Sequence, residues 1–299
     1  MQKVQNAVLV DAMHLAYRNF HVFKKDSVEY KWVEQFFVSL VSIEKRHPRH
    51  TIMLLWDSKI STMRFKINTE YKQNRKDRDP EEKERFNDGL EKVKLILKHQ
   101  NYWNIEADGY EADDVAAYMC NRLGKVPSES IILWTDDLDW AQLINDSKGV
   151  TLYRPSKRQT LDESEFFNAY EFPPRSLPVF KSLTGDKSDN IKGINRFPRK
   201  IAKDLCRKCC TVEEFYYNRP VLADVPMKWV EAIKDFAIDL RTNYRLAILY
   251  PNIDKVRIWK GNFDKQQLVE LHKQFGLGGN VDHKTPLQKY REMVRKRGN

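Results

Sequence analysis

Three short apolar runs in this sequence end on acids. Ala7-Val8-Leu9-Val10 runs into Asp11, TIMLLW (Thr51–Trp56) into Asp57, and IILW (Ile131–Trp134) into Thr135, Asp136 and Asp137, with Asp139 close behind. Runs of this kind, rich in Val, Ile, Leu and Trp and without polar alternation, predict strands buried on both faces. Val150–Tyr153 predicts a fourth, and amphipathic helices are predicted between the strands at 33–46, 80–99 and 111–124. The alternation predicts an α/β fold with a mostly parallel central sheet flanked by helices. Ligands bind beyond the carboxyl ends of such strands. The strand-end acids are therefore expected to meet on one edge.

More acids lie where they can join that edge. Glu111, Asp113 and Asp114 open the helix predicted at 111–124, in GYEADDVAAYMC. Ala112, Val115, Ala116 and Met119 give that helix an apolar face. Acids in a first helical turn are favoured by the macrodipole, so this cluster alone decides nothing. Asp186 and Asp189 follow in LTGDKSDN. The candidates are then Asp11, Asp57, Glu111, Asp113, Asp114, Asp137, Asp139, Asp186 and Asp189, with Asp136 as a further neighbour. So many carboxylates on one edge repel one another unless cations sit between them. Mg2+ or Mn2+ suits an all-oxygen donor set. Two ions about 4 Å apart would account for the number of acids.

Composition narrows the chemistry. Lys and Arg total 52 against 42 Asp and Glu, a formal charge of +10, which favours a polyanionic partner and nucleic acid above all. Carboxylate-held metals in a basic protein point to phosphodiester hydrolysis. The four cysteines, Cys120, Cys206, Cys209 and Cys210, show neither a disulfide framework nor a second ligand pair for zinc. A Walker-type phosphate loop is missing from the sequence. No stretch has the length of a membrane span or the pattern of a secretory signal, and an intracellular location is expected.

Pro173, Pro174 and Pro178 mark a change in pattern. Beyond them helices are predicted at 177–184, 198–209, 212–217, 227–248 and 265–275. Two regions are expected on this pattern: an α/β core over 1–175 that carries the strand-end acids, and a helical region over 176–299. The stretch Lys284–Arg297 carries six basic residues and one acidic, which suits a solvated end as well as a binding role.

The motifs in their order carry a resemblance. Asp11 after a strand, Trp56-Asp57, EYKQNR at 70–75, YEADDVAA at 110–117, TDDLDWAQL at 135–143 and LTGDKSDNIKGI at 183–194 resemble the 5′ nuclease (flap endonuclease) family. The likeness is to free-standing bacteriophage 5′–3′ exonucleases and to the 5′-nuclease domain of bacterial DNA polymerase I, over about residues 6–200. It implies a PIN-like core, and it places the nine acids where the family keeps its metal ligands and their surroundings. TDDLDW aligns through Asp137 and Asp139, leaving Asp136 as a neighbour. The insert at 58–100 corresponds to the family's helical arch, which a single-stranded 5′ end threads. Lys72 and Arg75 match the arch residues that hold the scissile phosphate. Tyr71 is a candidate for stacking on a base, and Arg18 and Arg64 are further substrate-binding candidates. Residues 181–210 correspond to a helix–hairpin–helix element that grips duplex phosphates, often with a bound K+. Lys192, Arg196, Arg199 and Lys200 are the candidate phosphate contacts here. Gly193-Ile194-Asn195 replaces the usual Gly-x-Gly.

The resemblance implies a divalent-metal-dependent 5′–3′ exonuclease or flap endonuclease. Its substrate would be duplex DNA with a 5′ end or flap, or an RNA–DNA hybrid, in primer removal or flap processing. A monomer is implied, with a replication protein such as a single-strand-binding protein as partner and the host cytoplasm as location if phage-encoded. The alternatives are a PIN-like ribonuclease and a non-catalytic nucleic-acid-binding protein.

Overall fold

The computed structural model describes residues 6–23, 30–58, 62–75, 79–123, 130–217 and 219–277. The first half of the chain runs through β1 (Asn6–Asp11), α1 (Ala12–Phe23), α2 (Lys31–Arg46), β2 (Thr51–Trp56), α3 (Met63–Ile67), α4 (Pro80–Leu97), β3 (Trp103–Ala107) and α5 (Ala112–Leu123). There follow β4 (Ser130–Trp134), β5 (Val150–Arg154), β6 (Gln159–Leu161), α6 (Glu163–Tyr170), α7 (Leu177–Thr184), α8 (Arg199–Lys208) and α9 (Glu214–Tyr217). The described chain closes with α10 (Met227–Asp235), α11 (Ala237–Ala247), β7 (Val256–Lys260) and α12 (Lys265–Gln274).

The strands form one seven-stranded sheet in the order β6-β5-β4-β1-β2-β3-β7. The five inner strands are parallel, and β6 and β7 close the two edges antiparallel. Side chains alternate between faces along a strand, so each strand feeds two cores. Leu9, Met53, Leu55 and Leu133 pack on one face with α5, α7 and α8. Val8, Val10, Leu54 and Trp56 pack on the other with α1, α2, α4 and α12. Burial on both faces is why β1 and β2 read as unbroken apolar runs. No helix among the described residues is long and apolar enough to cross a membrane.

Local chemistry sets the helix ends. Asp79 accepts the Glu81 N–H, and Pro80 opens α4 without wasting a donor. Asp162 and Glu165 form a reciprocal capping box on α6. α7 ends at Gly185, where φ is +76°. A Cβ on Gly193 would lie 2.2 Å from the Gly185 nitrogen, so two glycines are needed where the loop 185–193 doubles back. Arg196, rather than Asn195, takes the left-handed conformation in the next turn, with φ of 54°.

Several elements differ from the sequence-based expectation. β3 carries Asn104, which breaks the apolar run; it is buried because its side-chain oxygen accepts the Trp56 indole N–H at 3.0 Å. β7 lies in the C-terminal region expected to be helical, and it completes the sheet beside β3. α1 and α6 add helices that periodicity did not single out. The helix predicted at 227–248 is two, divided at Phe236. The basic stretch 284–297 lies outside the described residues.

Candidate metal centre

The parallel register sets the strand-end acids side by side. Asp11 pairs with Leu55 on β2, just short of Asp57, and Val10 pairs with Trp134 on β4. Thr135 donates its hydroxyl to Asp11 Oδ2 at 3.1 Å, and the His14 N–H donates to Oδ1 at 2.8 Å. Asp57 accepts the Ala112 N–H at 2.7 Å, which draws the start of α5 to the end of β2. Asp113, on that first turn, accepts the Trp140 indole N–H at 2.7 Å. Asp137 accepts the Asp139 N–H at 2.9 Å and so caps the 3-10 turn Leu138–Leu143.

These carboxylates feel one another. Burial, then the charges of Asp57 and Asp137, push the Asp11 carboxyl up to about 7. Burial, then Asp137, hold Asp113 well above the usual carboxylate range. Acids that resist ionisation together are stabilised by a cation placed among them.

The rest of the edge has cations of its own. Arg64 is only 1% exposed and grips Asp114 with two parallel bonds of 2.6 and 2.8 Å. It also donates to the carbonyls of Leu246 and Ile248, and so ties α3, α5 and α11 together. Glu111 faces Lys72 at 2.9 Å and Arg64 at 3.3 Å. Burial works against its charged form, but the two cations outweigh it and hold the carboxyl below its usual value. Lys181 on α7 contacts both Asp139 and Asp186. Burial alone would raise Asp186, yet Lys181 keeps it low. Asp139 is buried more deeply and lies beside Asp137, and it stays raised to about 7.

One oxygen from each of Asp139, Asp186 and Asp189 lies within 4.8 Å of the other two. An all-carboxylate donor set of this kind fits a hard divalent cation such as Mg2+ or Mn2+.

The structure changes the expectation at three positions, Asp114, Arg64 and Tyr71. Asp114 is fully buried and spends its oxygens on Arg64 and on the Tyr250 and Glu111 N–H groups, so it is a structural anchor and not an open ligand. Arg64 is committed to that anchor and is not a surface phosphate contact. Tyr71 is buried, its hydroxyl 3.2 Å from Glu111, so its ring is not offered to a base. Asp136 turns away from the cluster: Ser156 donates its N–H at 3.0 Å and its hydroxyl at 2.5 Å.

Arg18, Lys192, Arg196, Arg199 and Lys200 are exposed. Lys192 lies 3.3 Å from Glu70. Lys72 sits at the cluster with a left-handed φ of 56°. The side chain of Arg75 lies outside the described residues, as do Lys59, Lys76 and Arg78 of the same basic run.

Sequence reasoning missed Lys181, which fell within the stretch 181–210 without a role of its own. It also missed Trp140 and Thr135, which orient Asp113 and Asp11. The tie between the insert and the 186–190 loop was equally hidden. Lys72 N–H donates to the Asp189 carbonyl at 3.1 Å, and the Asn190 amide donates to the Glu70 carbonyl at 2.8 Å. The one local signal for Lys181 was its place on the last turn of a short helix leading into Asp186.

A family model described as the N-terminal resolvase-like domain of 5′-3′ exonucleases matches residues 6–171, more than half of the chain. A 5′-3′ exonuclease of Aquifex aeolicus is 25% identical over 279 residues, spanning 88% of this chain and 91% of the relative. A thermostable DNA polymerase I of Thermus thermophilus is 29% identical over 244 residues, covering 80% of this chain and 28% of the polymerase. Among solved structures, the bacteriophage T5 flap endonuclease in a pseudo-enzyme–product complex with DNA and metal ions shares the fold. Its TM-score is 0.68 at 22% identity, over 97% of this chain and 98% of that one.

Proposed function

The chain belongs to the 5′-3′ exonuclease family, and we propose that it is a divalent-metal-dependent 5′ nuclease, a phosphodiester hydrolase acting near 5′ ends or flaps of duplex DNA. The observation that carries this reading is the meeting of Asp11, Asp57, Asp113 and Asp137 at the strand ends, where burial, then the charges of Asp57 and Asp137, push Asp11 up to about 7. Bound divalent ions supply a lowered pKa for water and charge neutralisation on the attacking and leaving oxygens.

The chain's own residues do the rest. Asp11, Asp57, Glu111, Asp113, Asp137, Asp139, Asp186 and Asp189 hold the ions, and Thr135 and Trp140 fix the orientation of Asp11 and Asp113. Lys72, already at the cluster through Glu111, and Arg75 hold the scissile phosphate and offset charge that grows on it. Arg196, Arg199 and Lys200, exposed around the start of α8, take the duplex backbone, with Lys192 and Arg18 as outlying contacts. The division at about residue 175 is then one of task, with catalysis on the sheet edge and duplex grip beyond it, while β7 joins both parts into one sheet.

The finer assignments follow from this role. Mg2+ or Mn2+ is the working ion, in two or more copies, and K+ supports the turn at 193–198. RNA–DNA hybrids fall within the substrate range. The chain works as a monomer in the cytoplasm, that of the host if it is phage-encoded, with a single-strand-binding protein as partner during primer removal.

The test is a 5′-labelled flap duplex incubated with and without Mg2+. The wild type is expected to release short 5′ products only with metal. Asp137→Asn should lower the rate by about 10²–10³-fold or more while DNA binding persists. Undiminished turnover by Asp137→Asn would sink the assignment.

A further inference from the structure

Lys181 occupies an unusual place. Its ammonium reaches into the tightest acidic cluster among the described residues, touching Asp139 and, at 2.5 Å, Asp186. The side chain is only 14% exposed. Helix geometry delivers it: Lys181 lies on the last turn of α7, its carbonyl accepts the Gly185 N–H at 2.8 Å, and the chain reverses there to bring Asp186 back alongside. Oδ1 of Asp139 is buried and meets the ammonium as an ion pair.

An ammonium and a divalent ion compete for the same oxygens. Mg2+ needs carboxylate oxygens at about 2.1 Å in octahedral array. An ammonium held between Asp139 and Asp186 blocks that approach. The Lys stem is flexible, and a cavity of about 650 Å³ opens beside it, lined in part by Lys181, Asp186, Thr184, Asn190 and Tyr170. The displaced ammonium has somewhere to go.

Resting on the metal-dependent reading above, we propose that Lys181 is a displaceable built-in counter-ion. It keeps the Asp139–Asp186–Asp189 cluster neutralised until a divalent ion pushes it aside. The edge then has two classes of cation site. The class at Asp11, Asp113 and Asp137, whose hydrogen bonds come from neutral donors, is strong. The class at Asp139, Asp186 and Asp189 is weak, because the apparent affinity is reduced by the fraction of molecules in which Lys181 has left.

The experiment is a Mn2+ titration of the metal-free full chain, without DNA, followed by calorimetry and by the electron paramagnetic resonance of free Mn2+. The wild type should show two classes. In Lys181→Met the weak class should tighten about tenfold or more, and the strong class should stay within about twofold. Lys181→Arg is the second variant, informative even where the Met variant does not fold. Its guanidinium forks onto carboxylates, so the weak class should loosen about fivefold or more. A single class in the wild type overturns the proposal, as does a weak class unmoved by Lys181→Met, or by Lys181→Arg should the Met variant not fold. The metal-dependent reading survives either result. Absence of any Mn2+ binding by the wild type removes both.

Discussion

Asp11, Asp113 and Asp137 accept hydrogen bonds from a backbone N–H and a threonine hydroxyl, from an indole, and from a backbone N–H respectively. Glu111, Asp114, Asp139 and Asp186, on the same edge, face Lys72, Arg64 and Lys181. The first group carries raised carboxyls at Asp11 and Asp113. In the second, Glu111 and Asp186 are held low, while Asp139, buried beside Asp137, stays raised to about 7 despite Lys181. The difference separates acids that face a cation of the chain itself, fully so at Asp114 and in part at Asp139, from acids that have only neutral donors beside them. It also shows why a count of acids along the sequence overstates the ligand set: Asp114 belongs to the fold.

The largest effect is expected where the fold's own neutralisation is broken. Arg64→Met leaves Asp114 buried and unpaired, and should cost about 3–5 kcal/mol of stability. Urea denaturation measures this. A loss below about 1 kcal/mol, the worth of a surface pair, would mean that the Arg64 clamp is not a buried anchor.

Paired amide substitutions sharpen the contrast by sign. In EDTA at pH 8, Asp114→Asn should lower stability by about 2–4 kcal/mol because Arg64 loses its countercharge. Asp11→Asn removes a carboxylate that the folded state disfavours, and should raise stability by about 1–2 kcal/mol. Shifts of the same sign in the two variants would erase the distinction between the groups.

Metal addition tests the same point without a mutation. Millimolar Mn2+ should raise the melting temperature of the wild type by several degrees, about 2–3 kcal/mol at one hundred times Kd. Asp11→Asn should recover much less of that gain. Equal recovery, read by differential scanning calorimetry, would place the ion elsewhere.

The smallest effect serves as a control away from the edge. Burial, then His50 and Arg46, lower His47 to about 4. Its ordinary value is 6.5, so below that pH the unfolded chain takes up a proton that the folded one refuses. This contribution to stability is present above about pH 6.5 and is lost as pH falls toward 4. His47→Gln should flatten the decline by less than about 1 kcal/mol, given the partial exposure of the ring. Denaturation midpoints at pH 7 and 5 give the comparison, and an identical slope in the variant would clear His47 of any part in it.

Much of the sheet was legible because β1, β2, β4 and β5 are covered on both faces, which writes the burial into the sequence as apolar runs. β3 was not, since Asn104 spends its polarity on Trp56, a partner 48 residues away. β7 was not, since an edge strand reading VRIWK alternates and carries little signal. Asp137 and Asp139 were legible as site residues from the motif, but the turning away of Asp136 depends on Ser156, 20 residues on in the turn between β5 and β6.

The sequence by itself determined that apolar runs would stack into a parallel sheet and that acids would follow at the ends of three strands. Both facts are local: a run of buried residues, then a polar one where the strand leaves the core. Only the tertiary structure decided which acids would be spent. Arg64 lies 50 residues from Asp114, and Lys181 meets Asp139 across α7 and the 3-10 turn. Charges so far apart in sequence find one another through the path of the whole chain, which no local periodicity records.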